Sequence, residues 1–493
     1  MSYNWYDQTT GTPAANINWS AITSDSTGKY LVATQYNNSI WTSSNLGFSG
    51  SWVNQPIGIS TDVFNEIVSD STGQYLALTD SNSNVWTSNN YGVSSSWINQ
   101  TTDASLNSPA SYLYITSDST GQYLAVAAQS ADLWTSSSYG VNGSWINRTS
   151  GTSLSGLTWL NIASDSTGQN LVAVSGFGGL NGIYTSNNYG VNWVNQEPLL
   201  NGLGWGRVAS NSSGQYLTAL VFGGAVYISN NYGITGSWTI ITPPSIRSYS
   251  SVTMNDTGNI IALTSQGYDI WVSTNYGSSW INTTQDTSAT NQNWNSIISN
   301  SSGNFLAALV NGGDIWTNQP PIVCFKEDTK ILTDKDYKSI QDLRKRDLVK
   351  TLKHGFLPID MIGKKEIYHI ASTERIKDQL YKCSKDQYPE LTEDLIITGC
   401  HSILIDEFIS EEQREKTIQV NGDTYVTDCK YRLPACVDER TTVYEKPGTY
   451  TIYHLALEND DYYMNYGIYA NGLLVETCSK RYLKELSNMT LIE

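Results

Sequence analysis

Along residues 1–323, apolar and polar residues alternate at period two in runs of four to eight, and the pattern restarts about every 45 residues. Runs such as AITSD, EIVSD, YITSD and NIASD lead into a Ser/Asn/Asp-rich turn that ends in glycine. A second alternating run follows, as in YLVAT, YLALT, YLAVA and NLVAV. Alternation at this period predicts half-buried β-strands. The turn glycines are Gly28, Gly73, Gly121, Gly168, Gly214, Gly258 and Gly303, so the unit occurs seven times. Each unit holds a third run ending in an aromatic residue: Trp41, Trp86, Trp134, Tyr184, Tyr227, Trp271 or Trp316. After a turn of the form S-x-N-x-G comes a fourth run, such as SWVNQ, SWINQ, SWINR or NWVNQ. Four short strands in so few residues predict an all-β, seven-bladed propeller rather than a sandwich or a solenoid.

The seventh unit ends at Ile315-Trp316-Thr317-Asn318 without its fourth run, whereas Asn4-Trp5-Tyr6-Asp7-Gln8-Thr9 matches that run at the other end of the chain. The expectation is that the N-terminal strand completes the last blade and so removes two open sheet edges. The propeller is therefore expected over 1–318, followed by a linker at 319–323 that contains Pro320-Pro321, and a second domain over 324–493.

Composition changes at the same place. Residues 1–323 carry only 19 charged side chains and a net charge of −11, together with all sixteen Trp. The remaining residues hold a net −6 and all six Cys and four His. A total of −17 argues against a nucleic-acid partner, because phosphate binding needs clustered Lys and Arg. No apolar run is long enough to span a bilayer. The opening MSYNWYDQTT has no secretion signal, which points to a cytoplasmic protein, or a virion-associated one if the source is a virus.

The turn before the fourth strand resembles the Asp box of sialidase-like (BNR) propellers, S-x-D-x-G-x-x-W. Ser186 to Trp193 and Ser273 to Trp280 fit its spacing, with Asn in place of Asp, and other copies carry a two-residue insertion. The resemblance implies architecture only. A sialidase-like glycoside hydrolase would need an arginine triad and an acid. Only Arg148, Arg207 and Arg247 exist here, with Glu66 and Glu197, and all five read as isolated solvated charges. A nearly neutral ring rich in Asn, Ser, Thr, Tyr and Trp suits a protein or glycan ligand.

The second domain opens with Cys324-Phe325-Lys326-Glu327-Asp328-Thr329-Lys330-Ile331-Leu332-Thr333. Further on come Thr398-Gly399-Cys400-His401 between apolar runs, and Ile452-Tyr453-His454-Leu455. In this order the three motifs resemble the Hint (hedgehog/intein) autoprocessing fold, which is β-rich. Propeller–Hint fusions are similar to proteins of large DNA viruses. The resemblance implies that Cys324 attacks the Val323 carbonyl to form a thioester. His401 would then protonate the departing amine, and Thr398 would polarise the scissile amide. A thiol at its ordinary pKa is only about 3% ionised at pH 7, so the nucleophile needs help from its surroundings.

Three residues are accessory candidates. His454 stands where many inteins carry Asp, Asp360 is a remote candidate for activating a second nucleophile, and Cys478 sits where an intein has its downstream nucleophile. Glu476-Thr477-Cys478 replaces the His-Asn pair that lets an intein release its chain, so complete splicing is not expected. The β-branch of Val323 should slow hydrolysis. No cofactor is implied, and the cysteine spacings, with no C-x2-C pair, fall short of a metal site. The competing expectation is an interaction protein whose second domain is inert.

Overall fold

Each blade begins with a side chain that organises its own turn. The computed structural model describes residues 5–36, 39–57, 63–101, 113–176, 181–196, 203–241, 243, 249–285, 287–318, 322–369, 371, 373, 375–377, 379–421, 423–487 and 489–492. Asp25 accepts the amide hydrogen of Tyr30 at 2.9 Å and the hydroxyl of Thr27. Asp70 and Asp118 hold Tyr75 and Tyr123 in the same way, and Asn211, Asn255 and Asn300 hold Tyr216, Ile260 and Phe305. A carboxylate and an amide both supply this acceptor, which explains why the first four blades can use Asp and the last three Asn at the position. The glycine that follows is fixed twice over. Gly28 has φ +80°, and a Cβ there would lie 2.5 Å from Phe305 of the neighbouring blade.

From these turns the strands run antiparallel in chain order. The first sheet is Ile17–Ser24, Leu31–Gln35, Ser39–Ser43 and Trp52–Pro56. The second is Phe64–Ser69, Leu76–Asp80, Val85–Ser88 and Ile98–Asn99. Five more sheets of the same build begin at Leu113, Leu157, Trp205, Tyr249 and Gln292. The last takes its outer strand from Tyr6–Asp7, which pairs with Ile315–Thr317 so that Tyr6 faces Thr317 and Asp7 faces Trp316. The fold is an all-β, seven-bladed propeller.

The core lies between blades rather than within them. Ala21, Val32 and Ile40 pack on Phe64, Ile67 and Leu78 of the next blade, and Phe305, Ala307, Leu309 and Ile315 of the seventh pack on Trp19, Leu31 and Ala33 of the first. Within blades, the inner-strand aromatic meets the third-strand aromatic, as in Trp159–Tyr184 at 5.2 Å and Trp205–Tyr227 at 5.1 Å. Such pairs add about 0.5–1.5 kcal/mol each beyond their buried area.

One backbone hydrogen bond per blade then closes the circle. Ser26 donates to Ser71, Ser71 to Ser119, Ser119 to Ser166, Ser166 to Ser212, Ser212 to Asp256, Asp256 to Ser301, and Ser301 back to Ser26, at 2.9–3.2 Å. These residues rim a polar cavity of about 210 Å³.

The chain divides into two compact units, one of Met1–Gly47 with Ser51–Asn318, the other of Phe48–Gly50 with Gln319–Glu493. The second is built from two sheets around a core that includes Phe325, Ile331, Val349, Ile397, Leu455 and Val475. In one sheet Phe325–Lys326 lies between Leu395–Thr398 and Gly448–Leu457, with Phe325 opposite both Ile397 and Tyr453. The long strand Phe356–His369 flanks Gly448–Leu457 and sets Gly363 against His454. The other sheet contains Ser402–Ile405 and Leu473–Glu476, with Ile403 opposite Val475. No helix among the described residues is long and apolar enough to cross a membrane.

Removing residues 1–9 leaves the edge of Ile315–Thr317 unpaired. The shortened chain is expected to melt at least about 5 °C lower and to self-associate at high concentration. Scanning calorimetry and sedimentation velocity check this; an unchanged melting temperature contradicts it.

Candidate active site

Cys324 immediately precedes a strand paired on both sides, and that placement brings the candidate residues together. The Leu395–Thr398 strand delivers Thr398 at its end. Gly399 and Cys400 then turn the chain, so that the His401 amide donates to the Thr398 carbonyl at 2.9 Å. Gly399 is required in this turn, because a Cβ would come within 2.5 Å of the Lys377 carbonyl. The turn is braced from behind. Cys436 and Ala435 donate to the carbonyls of Gly399 and His401, and Arg375 binds the carbonyls of Ala435, Cys436 and Asp438.

Thr398 grips Cys324 by its main chain. The Cys324 amide donates to the Thr398 hydroxyl at 2.9 Å, and the Thr398 amide donates to the Cys324 carbonyl at 3.0 Å. The preceding amide, that of Val323, donates to the Tyr482 hydroxyl at 3.1 Å. The Cys324 sulfur lies 3.9 Å from the Met489 sulfur. The His401 ring packs on Phe325 at 4.2 Å between centroids and on His454 at 5.1 Å.

Burial dominates the electrostatics. Cys324, His401 and His454 are all 0% exposed. Desolvation pushes the Cys324 thiol far above its ordinary range, and the half-buried Lys365 ammonium opposes this only in part. Desolvation lowers His401 to about 3, although the main chain of Cys324 and Glu476 favours its charged form. His454 falls well below its usual value because it is buried and faces His401. Among the described residues, the His454 ring nitrogens have no hydrogen-bond partner, and those of His401 have only the weak approach of the Cys324 and Glu476 main chain. A buried polar atom left without a partner costs about 1–3 kcal/mol, so the paired imidazoles are an expensive feature of this core.

The accessory candidates divide. Cys478 is buried, its thiol donates to the Leu455 carbonyl at 3.3 Å, and burial, Cys324 and Glu476 raise its pKa well above the ordinary value. Asp360 is instead paired with Lys345 at 3.0 Å and Lys480 at 3.6 Å, and the hydrogen bond from Lys345 holds its carboxyl below the usual range. Sequence reasoning missed Tyr482, Met489 and Lys365. The one available signal is a run of apolar residues, Tyr482, Leu483, Leu486 and Met489, in an otherwise polar tail.

The propeller charges require a correction. Glu66 and Arg207 are not isolated surface charges: both are partly buried and have partners across blades. They occupy matching positions of inner strands, together with Ala21, Tyr114, Asn161, Ser251 and Ser296. Side chains at this position reach an amide on the inner strand of the following blade. Glu66 accepts the Ile115 amide at 3.1 Å, and Asn161 accepts that of Val208 at 3.0 Å. Arg207 donates to the Leu160 carbonyl and lies over the Tyr114 ring at 5.1 Å. Burial raises Glu66 to about 7 against the opposing charge of Arg207. Arg148, after the outer strand, donates to Thr135. Arg247 and Glu197 lie outside the described residues.

No family model matches the chain, and no curated protein matches it. Solved structures similar in part are YCF48 bound to D1 peptide, at 16% identity and TM-score 0.49 over 64% of this chain and 97% of that one. YCF48 from Cyanidioschyzon merolae follows at 11% and 0.48, over 64% and 98%. The Niastella koreensis GH74 enzyme stands at 15% and 0.49, over 68% and 60%.

Glu66 yields a pH prediction. Its folded pKa lies above the unfolded value, so the folded state holds the extra proton between about pH 4.5 and 7. Its contribution is complete below that window and is lost as pH rises through about 7. Glu66→Gln keeps the acceptor for Ile115 without the charge. From pH 5 to 8 the wild-type propeller should lose roughly 2–4 °C of melting temperature relative to this variant. Parallel pH profiles from calorimetry contradict the assignment.

Proposed function

We propose that residues 324–493 form a Hint-type autoprocessing domain that cleaves the Val323–Cys324 bond, and that the propeller over 1–318 is the binding module it releases or transfers through the linker at 319–323. One observation carries this reading. The amide nitrogen that must leave is the one held by the Thr398 hydroxyl at 2.9 Å, in the cluster that holds His401.

The acyl shift balances without an external reactant. The Cys324 sulfur adds to the Val323 carbonyl carbon, the C–S bond forms, and the Val323–Cys324 C–N bond breaks. The thiol proton ends on the released α-amine. His401, lowered to about 3, is neutral at ordinary pH and relays the proton from sulfur to nitrogen in this proposal, and so weak a base makes the relay slow. The Thr398 hydroxyl orients the amide for that transfer. Water or a thiol then attacks the thioester carbonyl, and the proton of the attacking group returns to the Cys324 sulfur. The propeller ligand is read as a protein surface or a glycan.

A second reading, an interaction protein with an inert second domain, is favoured by the same burial. A thiol pushed this far up and an imidazole pushed this far down leave almost no thiolate. The full chain and Cys324→Ala, each incubated with and without dithiothreitol, separate the two. Autoprocessing predicts thiol-accelerated cleavage of the wild type alone. Two chains that stay intact near 54 kDa overturn it.

A further inference from the structure

We propose that Tyr482 is a positioning residue for the acyl shift, fixing the direction of the Val323 carbonyl by holding the amide one residue upstream of the bond that breaks. This rests on the reading of Val323–Cys324 as the cleavage site. Two successive amides are pinned by hydroxyls, Val323 by Tyr482 at 3.1 Å and Cys324 by Thr398 at 2.9 Å. The Val323 carbonyl belongs to the same planar peptide as the Cys324 amide. With the planes on both sides of the Val323 Cα tethered, its φ and ψ have little freedom, and the carbonyl carbon is presented to sulfur in one orientation. Positioning of this kind supplies rate without any group touching the reacting atoms.

Tyr482 is itself held firmly. It begins a short helical turn, Tyr482–Leu486, and burial raises its phenol well above the ordinary value, so it stays neutral. Leu483 packs where Gly363 has no side chain, since a Cβ there would sit 2.9 Å from both Leu483 and Met489. Thr490–Ile492 then pairs with the long strand, Ile362 opposite Ile492 and Lys364 opposite Thr490. Val323 and Tyr482 are 159 positions apart, so the scissile segment reaches its geometry only once the tail has docked. Cleavage is thereby tied to completion of the fold.

The test uses the full chain and Tyr482→Phe, which keeps the ring and removes the hydroxyl. The rate of dithiothreitol-driven cleavage should fall about fivefold, the equivalent of one neutral hydrogen bond. In the Cys324→Ala background, amide exchange at Val323 should accelerate at least about tenfold on Tyr482→Phe, while the Thr398 amide stays as slow as before. Cys324-dependent cleavage at an unchanged rate overturns the positioning role and leaves the cleavage site standing. Equal acceleration at Val323 and Thr398 means general loosening and also overturns it. A wild-type chain that never cleaves removes the cleavage reading, and this proposal with it.

Discussion

The hydrogen bond from the Cys324 amide to the Thr398 hydroxyl is the contact on which the chemistry proposed for the second unit depends. It forms only because Phe325–Lys326 lies between two other strands, so the residue at its start has no freedom to turn away. Phe325 packs against both imidazoles and keeps water from them. The cost of that dryness is visible in Cys324, His401 and His454, all held neutral by burial. A neutral thiol beside a neutral imidazole suits a single, slow, internal transfer better than repeated turnover.

The propeller obeys a different constraint, which is closure. Its core is shared between blades, so no blade is stable alone, and each contributes one bond to the seven-membered backbone ring. The Asp or Asn in each turn holds that ring in shape from within its own blade. Side chains at the matching inner-strand position bind across to a neighbouring blade, which is why a glutamate, an asparagine and an arginine stand there in an otherwise weakly charged domain.

What could be read from sequence divides along the same line. The blades were legible because everything that makes one is local: period-two alternation, a turn five residues long, an aromatic at a fixed offset. Cys324, Thr398 and His401 were legible as a set only because short motifs carry them in order. Tyr482, Met489 and Lys365 were not, since what places them is tertiary pairing of the tail and of a long strand, and no spacing encodes it. Glu66 and Arg207 were misread for a related reason. A lone charge is usually solvated, but the register of the repeats puts both on inner strands, and only the tertiary packing of blades supplies the Ile115 amide for Glu66 and the Leu160 carbonyl for Arg207.

The most direct measurement is the mass of the products trapped by hydroxylamine from the purified full chain. A thioester at residue 323 must yield one fragment ending in a Val323 hydroxamate and another beginning with the free α-amine of Cys324. A chain that hydroxylamine leaves whole, or one cut at another bond, contradicts the assignment.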